Sequence, residues 1–117
     1  MKSVRLLALA AFAACAIAPG AARAASPENG KALFVKYGCW QCHGTLGQGS
    51  AITSQGKVLT ATEMSFDAFS AFVRNTSRAM PPYSEAVLPE RELEDIHAYL
   101  KSLPKPVDYK TIPLLNR

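Results

Sequence analysis

The sequence predicts an all-α domain of three main helices joined by long, irregular loops. Three observations predict it. Apolar residues recur at spacings of three and four in three separate stretches, and no stretch shows the two-residue alternation of a strand. The segments between are rich in glycine and proline.

The chain has 117 residues, and its beginning does not read as part of that domain. Lys2 and Arg5 precede an apolar run over residues 6–17, and small residues follow around Ala22, Ala24 and Ala25. This is the pattern of an export signal, with a cut expected near Ala24 or Ala25. The run of about a dozen residues is short of the roughly 20 that a spanning helix needs. Cys15, at the end of the run, would allow lipid anchoring, although Phe12-Ala13-Ala14 before it is a poor version of the usual Leu-led pattern. The expected organisation is therefore a signal peptide over residues 1–25, a domain over 26–104 and a tail over 105–117. Lys2, Arg5 and Arg23 lie in the leader and supply three of the four net positive charges. The remaining chain is nearly neutral, which gives no basis for nucleic-acid binding.

The first helix is expected to start at Ser26-Pro27-Glu28: a capping hydroxyl, a proline at the first helical position and an acid in the first turn. Leu33, Phe34 and Tyr37, with the small Gly30, form one face before Gly38 stops it. Residues 44–62 carry four glycines and read as a loop covering one edge of a cofactor. Ser65 caps the second helix, whose expected buried side is Phe66, Phe69, Phe72 and Val73, ending near Asn75. Pro81 and Pro82 keep the next stretch extended. The last helix opens at Pro89, carries Glu90, Glu92, Glu94 and Asp95 early and Lys101 late, and buries Leu93, Ile96, Tyr99 and Leu100.

Cys39-Trp40-Gln41-Cys42-His43 carries the chemistry. Two thiols three residues apart can each add to a haem vinyl group, and the adjacent histidine then supplies the proximal iron ligand. Three other readings compete. A redox Cys pair belongs in a strand–helix–strand context, which is absent from the pattern. A zinc site needs four ligands, and His97 is the only further candidate after the leader. A Cys39–Cys42 disulfide closes too short a loop to stabilise much.

For the opposite axial position the candidates are Met64, Met80 and His97. Met80 is preferred, 37 residues beyond His43 and held in an extended loop by the prolines after it. Met64 reads as a core or surface methionine, and His97 as a partly exposed helical histidine. Imidazole and thioether together fill both axial positions and raise the reduction potential, which suits single-electron transfer and not catalysis at an open iron.

These residues resemble those of the class I cytochromes c, over about residues 27–103. The resemblance rests on Cys39-Trp40-Gln41-Cys42-His43-Gly44, on Met80-Pro81 and on the terminal helices. It implies a cytochrome c fold around one covalently bound haem c, with His43 and Met80 on the metal. It further implies a crossing of the first and last helices built on Gly30, Phe34 and Tyr99, and a propionate contact from Arg74 or Arg78. Trp40 falls at a variable position, either packed on the haem or on the exposed rim.

The implied function is electron transfer in the periplasm, with no catalytic residues. The partners would be a periplasmic dehydrogenase and a terminal oxidase or other cytochrome. Small bacterial periplasmic cytochromes, including electron-accepting subunits of dehydrogenases, are the most similar kind. Membrane association is expected only through lipidation or a bound complex. The tail, with Ile112, Leu114 and Leu115, either docks on a partner or packs on its own domain.

Overall fold

The computed structural model describes residues 23–50 and 56–115. Residues 1–22 of the expected signal peptide, with Cys15, the 51–55 part of the glycine-rich loop, and Asn116 and Arg117 lie outside the described residues. The described elements are α1 (Pro27–Lys36), α2 (Trp40–His43), α3 (Phe66–Asn75), α4 (Glu90–Ser102) and a 3-10 turn over Tyr109–Thr111. No strand occurs among the described residues. The fold is all-α, as the periodicity predicts. The single turn α2 is an addition to the three expected helices, and it is the turn on which the cysteine motif sits.

The helix ends follow local chemistry. The Ser26 hydroxyl accepts the Asn29 N–H at 3.2 Å, and Pro27 occupies the first turn. Ser65 accepts the Ala68 N–H at 3.3 Å in the same way for α3. The opening turn of α4 has no side-chain cap. There the Pro89 carbonyl accepts from the Glu92 and Leu93 N–H groups, and Glu90 and Glu92 lie at the positive end of the helix.

The main packing is α1 against α4, with α3 added on α4. Leu33 and Phe34 of α1, Val73 of α3, Leu88, and Leu93, Ile96, Tyr99 and Leu100 of α4 form the buried core. Each such side chain contributes about 1.5–3 kcal/mol when taken out of water. Phe34 and Tyr99 meet with ring centroids 5.7 Å apart, a tilted aromatic contact that adds about 0.5–1.5 kcal/mol. Gly30 is buried at the crossing: a Cβ there would lie 1.9 Å from the Asp95 carbonyl oxygen and 2.9 Å from the Tyr99 Cβ. The three residues expected to build the helix crossing do meet there.

Two burial expectations fail, each for a physical reason. Of the four α3 residues expected inside, only Val73 is buried, and Phe72 is 55% exposed. Phe69, Phe72 and Val73 front a cavity, so part of that face meets open space and not another helix. His97 is buried at 8% exposure, contrary to the expectation of a partly exposed histidine. Its Nε2 lies 2.8 Å from the Met64 carbonyl oxygen, and Phe66 and Phe69 pack on its ring. A polar ring so satisfied is at home in a core.

Asp95, also buried, accepts from the Ser26 N–H at 2.6 Å, the Asn29 side-chain amide at 2.7 Å and Arg23 at 2.6 Å. Burial alone would raise its pKa, but these donors outweigh it and hold the carboxyl below its ordinary 3.8.

Gly30→Ala tests the crossing by sign. At an exposed helix site this change gains about 1 kcal/mol. Here overpacking against backbone should reverse it, costing about 1–3 kcal/mol and lowering the thermal midpoint by more than about 4 °C. Asp95 gives a pH signature. Because its folded pKa is depressed, the unfolded chain takes the proton first. Its stabilisation is complete above about pH 5 and is lost as pH falls through the unfolded value near 4 and on through the folded one. Urea midpoints measured from pH 6 to pH 3 should fall less steeply in Asp95→Asn than in the unaltered protein.

Candidate haem site

Helix α1 delivers the chain to the cysteine motif through Gly38, at φ +74°, a left-handed position that costs a glycine nothing. The turn α2 follows and closes at Gly44, at φ +75°. Between these two glycines, Cys39 accepts the His43 N–H at 3.0 Å through its carbonyl, so the motif is one helical turn. Cys39 is part-buried, and burial pushes its thiol up to about 11. Cys42 is exposed. Trp40 is exposed and lines no cavity, which places it on the rim.

The glycine-rich loop returns over this turn. Gly49 donates to the His43 carbonyl at 2.8 Å, Ser50 to Gly56 at 3.1 Å and Leu59 to Gly47 at 2.7 Å. A Cβ at Gly56 would fall 1.6 Å from the Cys42 carbonyl oxygen, so only glycine permits this approach. The return sets the Lys57 carbonyl 2.8 Å from His43 Nδ1. With Nδ1–H donated there, the tautomer is fixed and Nε2 is the nitrogen left to bind a metal. Ala61 then adopts φ +50°, held by its N–H to the Leu100 carbonyl at 3.0 Å, and turns residues 57–62 along the cavity wall.

The other wall comes from α3 and the Met80 segment. Tyr83 ties that segment at two points. Its N–H donates to the Val73 carbonyl at 3.1 Å, and its hydroxyl to the Tyr37 carbonyl at 2.9 Å. Arg74 donates to the carbonyls of Tyr83 and Leu88 at 2.9 and 2.7 Å and pairs with Glu90 at 2.8 Å. Arg74 is thus consumed in fixing the chain after Met80. Of the two arginines expected near a propionate, only Arg78 lines the cavity. Tyr83 was not foreseen. Its only signal in the sequence is an aromatic directly after Pro81-Pro82.

Between these walls lies a cavity of about 590 Å³, bounded by Cys39 and His43 on one side and Met80 on another. A second hollow of about 240 Å³ shares Cys39, His43, Met80 and Tyr83 with it and adds Cys42. All four residues singled out in the sequence therefore border adjoining space. Met64 also lines the cavity, at its exposed margin, whereas His97 does not line it and is already hydrogen-bonded. Phe34, Phe69, Leu93, Ile96 and Leu100 make the walls mostly apolar, and Phe66 lies behind on His97.

The cavity fits haem. Its volume is that of a cofactor site. Its donor set combines an imidazole with one free nitrogen, a thioether and two thiols at the edge. Thr60 Oγ1, buried on the same wall, has no hydrogen-bond partner among the described residues and so is left for a polar group of a ligand. Among the described residues, no three His, Cys, Asp or Glu side chains gather as a group that could hold a metal ion.

Comparison with known proteins agrees. Residues 25–100 match the family described as cytochrome c oxidase, cbb3-type, subunit III. The chain is 30% identical over 102 residues to Cytochrome c-555 of Methylococcus capsulatus, a match covering 85% of this chain and 82% of that protein. No solved structure matches it. By its family match over residues 25–100 and its 30% identical relative, the chain belongs to the cbb3-type cytochrome c family: it is a small c-type cytochrome, its cofactor is covalent haem c, and its chemistry is electron transfer.

Proposed function

We propose that the protein is a periplasmic carrier of single electrons, exported through residues 1–25 and holding one haem c on Cys39 and Cys42 with His43 and Met80 as axial ligands. The observation that carries this reading is the fixed imidazole. His43 Nδ1 is occupied by the Lys57 carbonyl, and the remaining nitrogen belongs to a residue on the same cavity as the Met80 thioether.

The haem supplies the one-electron couple. The chain's own residues do the rest. Lys57 fixes the His43 tautomer, and Tyr83 and Arg74 brace the loop that carries Met80. Brace and turn together leave little to rearrange when the charge at the site changes. Phe34 and Phe69 keep the surroundings apolar, which bears on the potential. Arg78 and the unpartnered Thr60 hydroxyl are placed to meet propionates. Among the described residues no helix is long and apolar enough to cross a membrane, so attachment would need a lipid, a partner or a segment outside them.

A second reading, a dedicated subunit of a periplasmic dehydrogenase, is favoured by the tail. Leu114 and Leu115 are 68 and 62% exposed and Val107 73%, while Ile112 is half-buried, so most of the arm's apolar side chains are uncovered. Exposed apolar residues grouped in one segment are a usual mark of a docking surface.

Produced with a cytochrome c maturation system and exported, the protein should be red and gain the mass of one haem. Cys39→Ala with Cys42→Ala should lose that covalent mass. Met80→Ala should keep it, lose the sulfur-to-iron absorption at the red edge of the oxidised spectrum, and lower the potential by a sizeable part of the roughly 0.8 V that axial ligands span. An unchanged oxidised spectrum would rule Met80 out. Removing residues 106–117 should leave the haem spectrum and thermal midpoint within about 2 °C of the full chain. In the subunit reading, this deletion should also abolish co-purification with a dehydrogenase.

A further inference from the structure

Asp95 is the only buried carboxylate among the described residues, at 1% exposure on α4. Its three donors come from one short stretch before and at the start of α1: Arg23, the Ser26 N–H and the Asn29 amide. Only Arg23 among them carries a full positive charge, and its guanidinium is 2.6 Å from Oδ2. The two neutral donors stabilise the carboxylate in part, and loss of the cation from such a pair is still costly.

Yet Arg23 stands inside the small-residue pattern of the expected cleavage site. Ala22 and Ala24 occupy the two small positions before the Ala24–Ala25 bond. A cut one bond later would put Arg23 itself at a position that calls for a small side chain. The cut expected at Ala24–Ala25 therefore removes the cation facing Asp95. It also makes a new one. Peptidase-catalysed addition of water breaks the Ala24–Ala25 C–N bond, the water oxygen staying on Ala24 as a carboxylate and both water hydrogens going to the Ala25 nitrogen, which becomes an ammonium. That nitrogen is two bonded carbons from the Ser26 nitrogen, hence within about 4 Å of it. The Ser26 nitrogen already lies 2.6 Å from Asp95 Oδ1. Ala25 is exposed and so unhindered in turning toward the carboxylate.

We propose that the Ala24–Ala25 bond is the processing site and that the α-ammonium of Ala25 replaces the Arg23 guanidinium at Asp95, pinning the start of α1 to α4. The mature amino terminus is then a structural cation, and the helix crossing is complete with either partner, before and after the cut. This rests on the export reading above.

The exported, haem-loaded protein is compared with a variant carrying Gly-Ser inserted between Ala25 and Ser26, which moves the ammonium away and keeps the Ser26 N–H. Both are also made in an Asp95→Asn background. Intact mass should place the first residue at Ala25. The insertion should lower the thermal midpoint by about 4–8 °C with Asp95 present and by less than about 2 °C with Asp95→Asn. If Asp95→Asn does not accumulate, acetylation of the α-amine by a small anhydride at neutral pH decides, being at least about tenfold slower in the unaltered protein than in the insertion variant. A mature chain beginning at Arg23, or equal midpoints and acetylation rates in a chain beginning at Ala25, overturns the inference and leaves export intact. A periplasmic holoprotein retaining residues 1–25 overturns the inference alone, and a chain held in the cytoplasm overturns the export reading with it.

Discussion

The close approach of α1 to α4 at Gly30 is the constraint on which the other contacts depend. With no side chain at that point, the two backbones come near enough for Phe34 to reach Tyr99 and for Asp95 to receive the start of α1. Since α1 runs directly into Gly38 and the cysteine turn, its placement on α4 also places Cys39 and His43. A shift of α1 by a methyl radius would carry the motif with it, because only the turn over residues 37–39 separates helix from motif.

The cavity is held open by a hydrogen-bonded frame, of which Tyr83 also borders the space. Tyr83 joins the end of α3 to the end of α1, and Arg74 binds two carbonyls of the same segment and then Glu90 at the start of α4. These bonds close a ring of elements around the space between His43 and Met80. They also explain why Phe69 and Phe72 remain incompletely covered by protein. Their neighbours are the cavity and its mouth, and a planar aromatic cofactor would cover surface that no helix reaches. In a domain this small, with a core of eight apolar residues, such a ligand is a large share of the material available for burial.

The electrostatics separate into a structural part and a part facing outward. Asp95, Glu90 and Glu92 are engaged by Asn29, Arg74, Lys36 and the Tyr37 hydroxyl, and these contacts tie helix ends together. Hydrogen bonds from Tyr37 and then Lys36 hold Glu92 below the usual carboxylate range. Lys57 and Arg78 border the cavity instead, beside the exposed Val58, Met64 and Phe72. That combination of a few cations and an apolar margin is the part of the surface nearest the cavity.

Local chemistry in the sequence determined the helices, their caps and the cysteine turn, because each depends on residues within four positions of one another. It also narrowed the candidate iron ligands to His43, Met64, Met80 and His97, since few side chains in the chain can bind iron. Tertiary structure decided what spacing cannot encode. Arg74 and Arg78 are equivalent as sequence, but only the fold turns one into a brace and leaves the other at the cavity. His97 reads as a surface residue from its place beside the apolar stripe, until the Met64 carbonyl and two phenylalanines, more than 25 residues away, surround it. The partner of Asp95 was equally hidden, because a carboxylate on the last helix and the start of the first become neighbours only when the helices cross. Periodicity reports which side of a helix is apolar; which apolar surface meets protein and which meets a cofactor depends on contacts distant in the chain, and those exist only in the folded state.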